Sequence, residues 1–432
     1  MAGGGRVTAT AAVPARTGLL RRWALYDFAH SAFPTVIETF VFAAYFTRQV
    51  APDAISGAAL WGLAVGLAGL AVALLGPVVG AIADHGGGLR RWLLGTTALC
   101  VLPTAALWWV LPNSPHLVGA LLLVGLATIG MELASIFYNA LLPRLAPAER
   151  IGRWSGWGWG LGYAGGLLCL LLALLGFVRE GAWFPLPRDD ASHVRATFVL
   201  AAVWFGLFAL PLLTARLPGR AASAGRVELK ASLRELWHTL RGLPRQGPLL
   251  RFLIARMLYT DGLATLFAFG GVYAAGTFAM TESQVLAFGI GLNVTAGLGA
   301  VAFAHLDDRI GSRNTIVIAL LALIVTSAGT LLAQSVTAFW VAGLALGIFV
   351  GPAQAASRSL LARMAPAEQR NQLFGLFTLS GKATAFLGPL LVGAVTLASG
   401  SQRVGMAVIL GLWLAGLALM LTVPADRPNA HG

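Results

Sequence analysis

Leu141-Leu142-Pro143-Arg144-Leu145-Ala146-Pro147-Ala148-Glu149 returns 219 residues later as Leu360-Leu361-Ala362-Arg363-Met364-Ala365-Pro366-Ala367-Glu368. The same displacement carries Gly156 onto Gly375 and Gly162 onto Gly381. A second echo, displaced by 224, sets Ala81-Ile82-Ala83-Asp84 with Arg90 and Arg91 against His305-Leu306-Asp307-Asp308-Arg309 with Gly311 and Arg313. A third sets Leu25-Tyr26-Asp27 after Arg22 against Leu258-Tyr259-Thr260-Asp261 after Arg256. Self-similarity at a fixed spacing marks a duplicated structural unit.

What is duplicated is apolar. Of 432 residues 57% are hydrophobic and only 11% charged, with a mean hydropathy of +0.78. Apolar runs of about 20 residues alternate with short polar punctuation, which is the spacing of membrane-crossing helices. Spans are expected at residues 23–48, 57–82, 92–112, 116–142, 154–178, 195–216, 249–279, 282–306, 314–334, 336–361, 373–398 and 403–423. The fold class is an all-α membrane protein of twelve helices in two pseudo-symmetric six-helix bundles. Six is even, so both copies start from the same side. The expected division is a tail at 1–22, bundles at 23–216 and 249–423, a linker at 217–248 and a second tail at 424–432.

The net charge of +13 alone would suit a nucleic-acid partner. Its distribution argues otherwise. With both termini inside, the cytoplasmic connections hold most of the Arg and Lys, while the opposite face keeps Arg48, Arg179, Arg188, Arg195 and Arg403. This is the positive-inside bias, so no nucleic-acid partner is needed, and a bacterial cytoplasmic membrane is the expected location. Residues 1–20 lack an apolar run long enough for a signal peptide. Cys100 and Cys169 sit inside spans and read as packing residues. In the linker Leu229, Leu233, Leu236, Trp237, Leu240 and Leu243 recur at helical spacing. That stripe predicts a helix lying on the membrane surface, or one that binds a partner.

The connection Gly80-Ala81-Ile82-Ala83-Asp84-His85-Gly86-Gly87-Gly88-Leu89-Arg90-Arg91 resembles the loop signature of the major facilitator superfamily, and Asp308-Arg309-Ile310-Gly311-Ser312-Arg313 resembles its second-half copy, with Ala304 where the pattern has Gly. A narrower resemblance, covering almost the whole chain, is to that superfamily's vacuole effluxer group. It rests on Trp23-Ala24-Leu25-Tyr26-Asp27-Phe28-Ala29, Phe137-Tyr138-Asn139-Ala140-Leu141-Leu142-Pro143, Gly156-Trp157-Gly158-Trp159, Tyr259-Thr260-Asp261-Gly262 and Gln354-Ala355-Ala356-Ser357-Arg358. His30 stands where the group has Asn. The resemblance implies a two-domain rocker around a central cavity lined by spans one, four, seven and ten. For fungal relatives it implies release of amino acids from the vacuole.

Candidate functional residues are those that lipid should exclude. Asp27, Glu38, Glu132, Arg256, Asp261 and Lys382 fall inside apolar spans. An unpaired ion there costs about 3 kcal/mol on insertion scales, so each should face a cavity or a partner. At about 100° per residue Asp27, Pro34 and Glu38 share one stripe of span one, flanked by His30 and Ser31. Asp27 fits either a helix cap or a pair with Arg21 or Arg22 at the span's cytoplasmic end, or a transport role. Glu132, Ser135 and Asn139 share a stripe of span four, and the repeat maps the last two onto Gln354 and Arg358 of span ten. Arg358 is expected either to snorkel or to touch solute. Span seven contributes Arg256, Tyr259 and Asp261, and Lys382 is expected to pair with one of the acids. Asp84, Arg90, Arg91, Asp308, Arg309 and Arg313 read as a gating latch between bundles. The glycines of span five, Gly156 to Gly166, predict close helix packing.

These residues point to a secondary active transporter that moves a small polar solute, amino acids included, by export or with a proton as coupling ion. Buried carboxylates that alternate between pairing and protonation would serve such coupling. No phosphate-binding loop, His-Glu-x-x-His or Gly-x-Ser-x-Gly pattern is present, so no cofactor, metal or catalytic residue is assigned. The partners expected are a small-molecule solute and the lipid bilayer, and the expected oligomeric state is a monomer. The alternatives are a receptor or assembly partner that uses the same architecture without transport, and an intramembrane enzyme.

Overall fold

The computed structural model describes residues 17–52, 54–86, 88–113, 117–218, 241–280, 282–382 and 384–425, with Arg234 and residues 237–239 between them. The amphipathic stripe expected in the 217–248 linker falls largely outside the described residues, as does the side chain of Lys382. Every regular element among the described residues is helical.

Twelve helices can be numbered among the described residues of the two halves. They are α1 (residues 17–50), α2 (Ala54–Gly86), α3 (Leu89–Ala106), α4 (Leu117–Leu145), α5 (Ile151–Ala173), α6 (Ser192–Leu213), α7 (Gly247–Phe278), α8 (Glu282–Ile310), α9 (Ser312–Leu332), α10 (Val336–Met364), α11 (residues 370–399) and α12 (Gln402–Leu421). Ten of them are individually long and apolar enough to cross a membrane. The remaining two, α1 and α11, are interrupted.

Both interruptions have a proline at their root. In α1 the regular helix Thr17–His30 gives way to a π-helical stretch, Phe33–Phe40, with Pro34 in its first turn. Proline supplies no N–H to the carbonyl four residues back and crowds it, and a wider turn absorbs the mismatch. In α11 the helix Arg370–Lys382 stops and restarts as Leu387–Ser399, two residues before Pro389. The restart places Pro389 in a first turn, where its missing N–H costs nothing.

Packing repeats between the two halves of the chain. Helix α1 packs on α6, α2 on α4, and α3 on both α4 and α6; α7 packs on α12, α8 on α10, and α9 on both α10 and α12. Across the halves the main contacts are α5 with α8 and α2 with α11, which the duplication interchanges. The echoed glycines explain how closely these cross-pairs approach. A Cβ on Gly156 of α5 would lie 2.5 Å from the Ala300 carbonyl oxygen of α8, and one on Gly375 of α11 would lie 2.6 Å from the Gly76 carbonyl oxygen of α2. Large apolar side chains such as Leu74, Leu102, Val325, Leu332 and Leu397 remain exposed, as a lipid-facing surface requires.

Candidate functional site

The residues joining the halves lie toward the end of the bundle that carries the chain termini. Arg358 of α10 is 4% exposed, and its Nη1 donates to Asp27 Oδ2 of α1 at 3.0 Å. The same guanidinium donates from Nε to Ser155 Oγ at 2.9 Å, from Nη2 to the Ser155 carbonyl at 2.6 Å and from Nη1 to Asn139 Oδ1 at 3.3 Å. It sits 4.8 Å from the centre of the Trp23 ring. Tyr138 donates its hydroxyl to Asp27 Oδ2 at 3.0 Å. His30 approaches the other oxygen, with Nδ1 3.9 Å from Asp27 Oδ1 and Nε2 2.9 Å from Ser135 Oγ. Arg358 therefore neither snorkels nor stands open to solute. Removing one member of a buried, hydrogen-bonded pair costs about 3–5 kcal/mol, against 0–1 for a surface pair, so this contact contributes substantially to closure of that end.

Two further carboxylates brace the same end in matching ways. Asp308 at the end of α8 accepts from the backbone amides of Gly152 (2.7 Å) and Arg153 (2.9 Å), which open α5. Asp84 at the end of α2 accepts from the amides of Asn371 (3.3 Å) and Gln372 (2.9 Å), which open α11, and from Asn371 Nδ2 at 2.6 Å. A helix N-terminus offers unsatisfied N–H groups and partial positive charge, so a carboxylate from the other half is held there by geometry as well as charge. Each acid also meets an arginine of the opening repeat. Arg144 lies 3.6 Å from Asp84, and Arg363 lies 3.1 Å from Asp308 and 3.2 Å from Asp307.

Arg144, Arg363 and Asp307 were not among the expected gating residues, although the repeat carried both arginines at one displacement. Arg90 and Arg313, which were, do a different job. Arg90 Nε donates to the Leu213 carbonyl at the end of α6 (2.6 Å), and Arg313 Nη2 donates to the Leu421 carbonyl at the end of α12 (2.8 Å). Each satisfies a helix C-terminus inside its own half. Arg91 and Arg309 are exposed, and no ion pair among the described residues involves them.

The remaining candidates divide among separate surroundings. Glu38 accepts from the Thr128 hydroxyl of α4 at 2.7 Å and does not line the central cavity. The stripe drawn at 100° per residue fails here because the π-helical stretch adds a residue to the turn, and the cavity face of α1 becomes Ser31, Pro34, Thr35 and Thr39. Glu132 is half-buried on α4. Arg256 donates to the Phe377 carbonyl (2.6 Å) and Ser380 Oγ (2.9 Å) of α11, with its guanidinium 3.4 Å from the Phe377 ring centre. Tyr259 and Ser357 share a hydrogen bond of 2.6 Å, joining α7 to α10. Asp261 accepts from the Gly388 amide at 3.1 Å, where α11 restarts. Gln354 Nε2 and the Tyr163 hydroxyl are 3.4 Å apart across the halves.

Beyond these contacts a cavity of about 760 Å³ lies between α1, α5, α7 and α8. Its walls run from Ser31 to Arg48 on α1 and from Leu266 to Gly271 on α7, so it occupies the part of the bundle away from the termini. One end of the molecule is thus sealed by ionic and helix-end contacts while the cavity lies beyond the seal.

The family model described as "Vacuole effluxer Atg22 like" matches residues 48–153 and 148–431, most of the chain. The chain belongs to that family. The proteins it resembles include transporters of the major facilitator superfamily. One relative, the "Uncharacterized MFS-type transporter YxiO" of Bacillus subtilis, is 25% identical over 408 residues, covering 94% of each chain. "Autophagy-related protein 22" of Cryptococcus neoformans is 23% identical over 297 residues, 64% of this chain and 51% of that protein. The chain therefore spans about half the length of that fungal member of the Atg22-like family. Among solved folds, the transporter FucP in the outward conformation aligns with a TM-score of 0.75 at 12% identity over 94% of this chain and 99% of that one. The proton:xylose symporter XylE aligns with a TM-score of 0.73 at 14% identity over 95% and 96%.

Proposed function

We propose that this Atg22-like protein carries a small organic solute across a bacterial cytoplasmic membrane by alternating access, working as a monomer with both termini inside. The observation that carries the reading is the Asp27–Arg358 pair, which bridges residues 331 apart and closes one end beneath a cavity on the other side. The halves, residues 23–216 and 249–423, act as the two rocking bodies. The paired Asp84 and Asp308 contacts hold them together at the cytoplasmic end, and exposing the cavity to the cytoplasm requires both contacts to separate from their helix starts.

The same pair supplies a coupling device. Asp27 is shared among Arg358, Tyr138 and His30. A proton taken up by this group weakens the carboxylate's hold on Arg358 and frees the cytoplasmic end to open. Proton coupling in this form ties solute movement to a pH gradient.

A thermal-shift screen of small organic compounds on the purified chain, followed by flux of each stabilising compound into sealed vesicles, tests the reading. The expected result is a bound compound that crosses intact, at a rate that responds to an imposed pH gradient and is abolished in Asp27→Asn. A compound that binds and stabilises but never crosses contradicts transport. A flux indifferent to the gradient contradicts coupling alone.

A further inference from the structure

The chemistry of the cavity wall indicates what it receives. Its lining is dominated by apolar and aromatic side chains, Phe40, Trp159, Tyr163, Phe267, Phe288 and Leu292 among them, with Ser31, Thr35, Thr39 and Asn293 as uncharged polar groups. Among the described residues that line it, one carries a formal charge, Arg48, and none is a carboxylate. Among these described side chains an amino acid's ammonium group finds no anion. An acidic headgroup would find a cation.

A second space adjoins the first. A groove of about 570 Å³ runs along the outer parts of α1, α5 and α8, with Val41, Ala44, Leu170, Leu171, Leu174, Ile290 and Val294 on its walls. Phe40, Arg48 and Leu167 line both spaces, so groove and cavity meet at Arg48. Arg48 is exposed, and no hydrogen bond or ion pair among the described residues engages its guanidinium. Leu168, Leu171, Leu174, Ile290 and Val294 are exposed on the surface that lipid covers, so the groove lies beside the bilayer.

We infer that the site takes an anionic amphiphile, its acidic head held at Arg48 and its acyl or aryl body lying in the α1–α5–α8 groove, with entry from the bilayer. The class differs from the small polar solute that the sequence alone suggests. It rests on the transport reading for its purpose but not for its binding chemistry. The physical warrant is complementarity. The apolar wall gains about 25 cal/mol per Å² of tail withdrawn from water, and the Arg48 guanidinium at the junction selects the sign of the head.

The test uses the full chain in lipid vesicles and a long-chain alkyl sulfate bearing a diazirine, which stays charged and does not cross bilayers unaided. After illumination, mass spectrometry should find adducts on the groove residues of α5 and α8. Labelling should fall about fivefold in Arg48→Gln, the order of one partly exposed ion pair, and return in Arg48→Lys. Ala44→Trp, which fills the groove, should also suppress it. Thermal melts report whether that variant folds, and Arg48→Gln alters no packed side chain. Equal labelling by an alkyl trimethylammonium analogue, or labelling indifferent to Arg48→Gln, overturns the inference and leaves only annular lipid contact. Flux separates the two readings. Arg48-dependent labelling without movement across the vesicle removes transport and keeps the site, whereas labelling indifferent to Arg48→Gln together with movement of a solute across the vesicle removes the site and keeps transport.

Discussion

At the scale of single residues, Asp27 and Arg358 share one buried environment. Arg358→Gln leaves Asp27 with Tyr138 and His30 but without its cation, and should destabilise the closed state by about 3 kcal/mol. Asp27→Asn should cost less, because the Ser155 oxygen atoms and Asn139 still accept from the guanidinium. A double-mutant cycle read by thermal unfolding should return a coupling of about 1–3 kcal/mol, and strictly additive effects would show that the two side chains act apart. The sequence marks Asp27, Asn139 and Arg358 as polar groups on cavity-side faces, because periodicity reports which face a residue occupies. It is silent on the partner. Tyr138 and Ser155 were invisible as ligands of this pair, since the hydroxyls of Tyr and Ser are common in any helix and the contact spans a separation that no local pattern records. Glu38 shows the opposite failure, where a correct helix with one widened turn rotates the predicted stripe away from the cavity.

At the scale of elements, close approach and helix ends decide the behaviour. Gly375 lets α11 lie directly against the backbone of α2, with a Cβ there only 2.6 Å from a carbonyl oxygen. Gly375→Ala should therefore push the two helices apart, cost about 1–3 kcal/mol in thermal stability and raise exchange of the Asn371 and Gln372 amides that Asp84 holds. Unchanged exchange would separate helix packing from the latch. On the opposite face Asp190 precedes α6, accepting from the Ser192 hydroxyl (2.8 Å) and amide (3.0 Å) and pairing with Arg195 at 2.7 Å. The Ser192 hydrogen bonds lead in holding its carboxyl below the ordinary carboxylate range, with Arg195 adding to them. A lowered folded value means stability present above the unfolded value of about 3.9 and lost as pH falls through the folded one. The melting-point difference between the parent chain and Asp190→Asn should accordingly be present at neutral pH and vanish in acid; a difference that persists in acid would assign the effect to the Asn side chain itself. The twelve spans were legible because length and hydropathy are properties of the chain itself. The break in α11 was not read from sequence, although Pro389 signals it, because an apolar run passes through it uninterrupted.

At the scale of the whole molecule, the duplication that identifies the fold also builds the gate. Arg144 and Arg363 are one residue of the repeating unit used twice, and so are Asp84 and Asp308, so the two sets of contacts are copies, and in the proposed mechanism they yield together. In the proposed mechanism these contacts, with Asp27–Arg358, set which end is closed. The most direct measurement is the distance distribution between spin labels at Glu149 and Glu368, exposed positions in the mirrored α4–α5 and α10–α11 turns, in the parent chain and in Asp84→Asn/Asp308→Asn. The parent should show one dominant short distance and the double variant a longer population at its expense. Identical distributions in the two proteins would contradict the account.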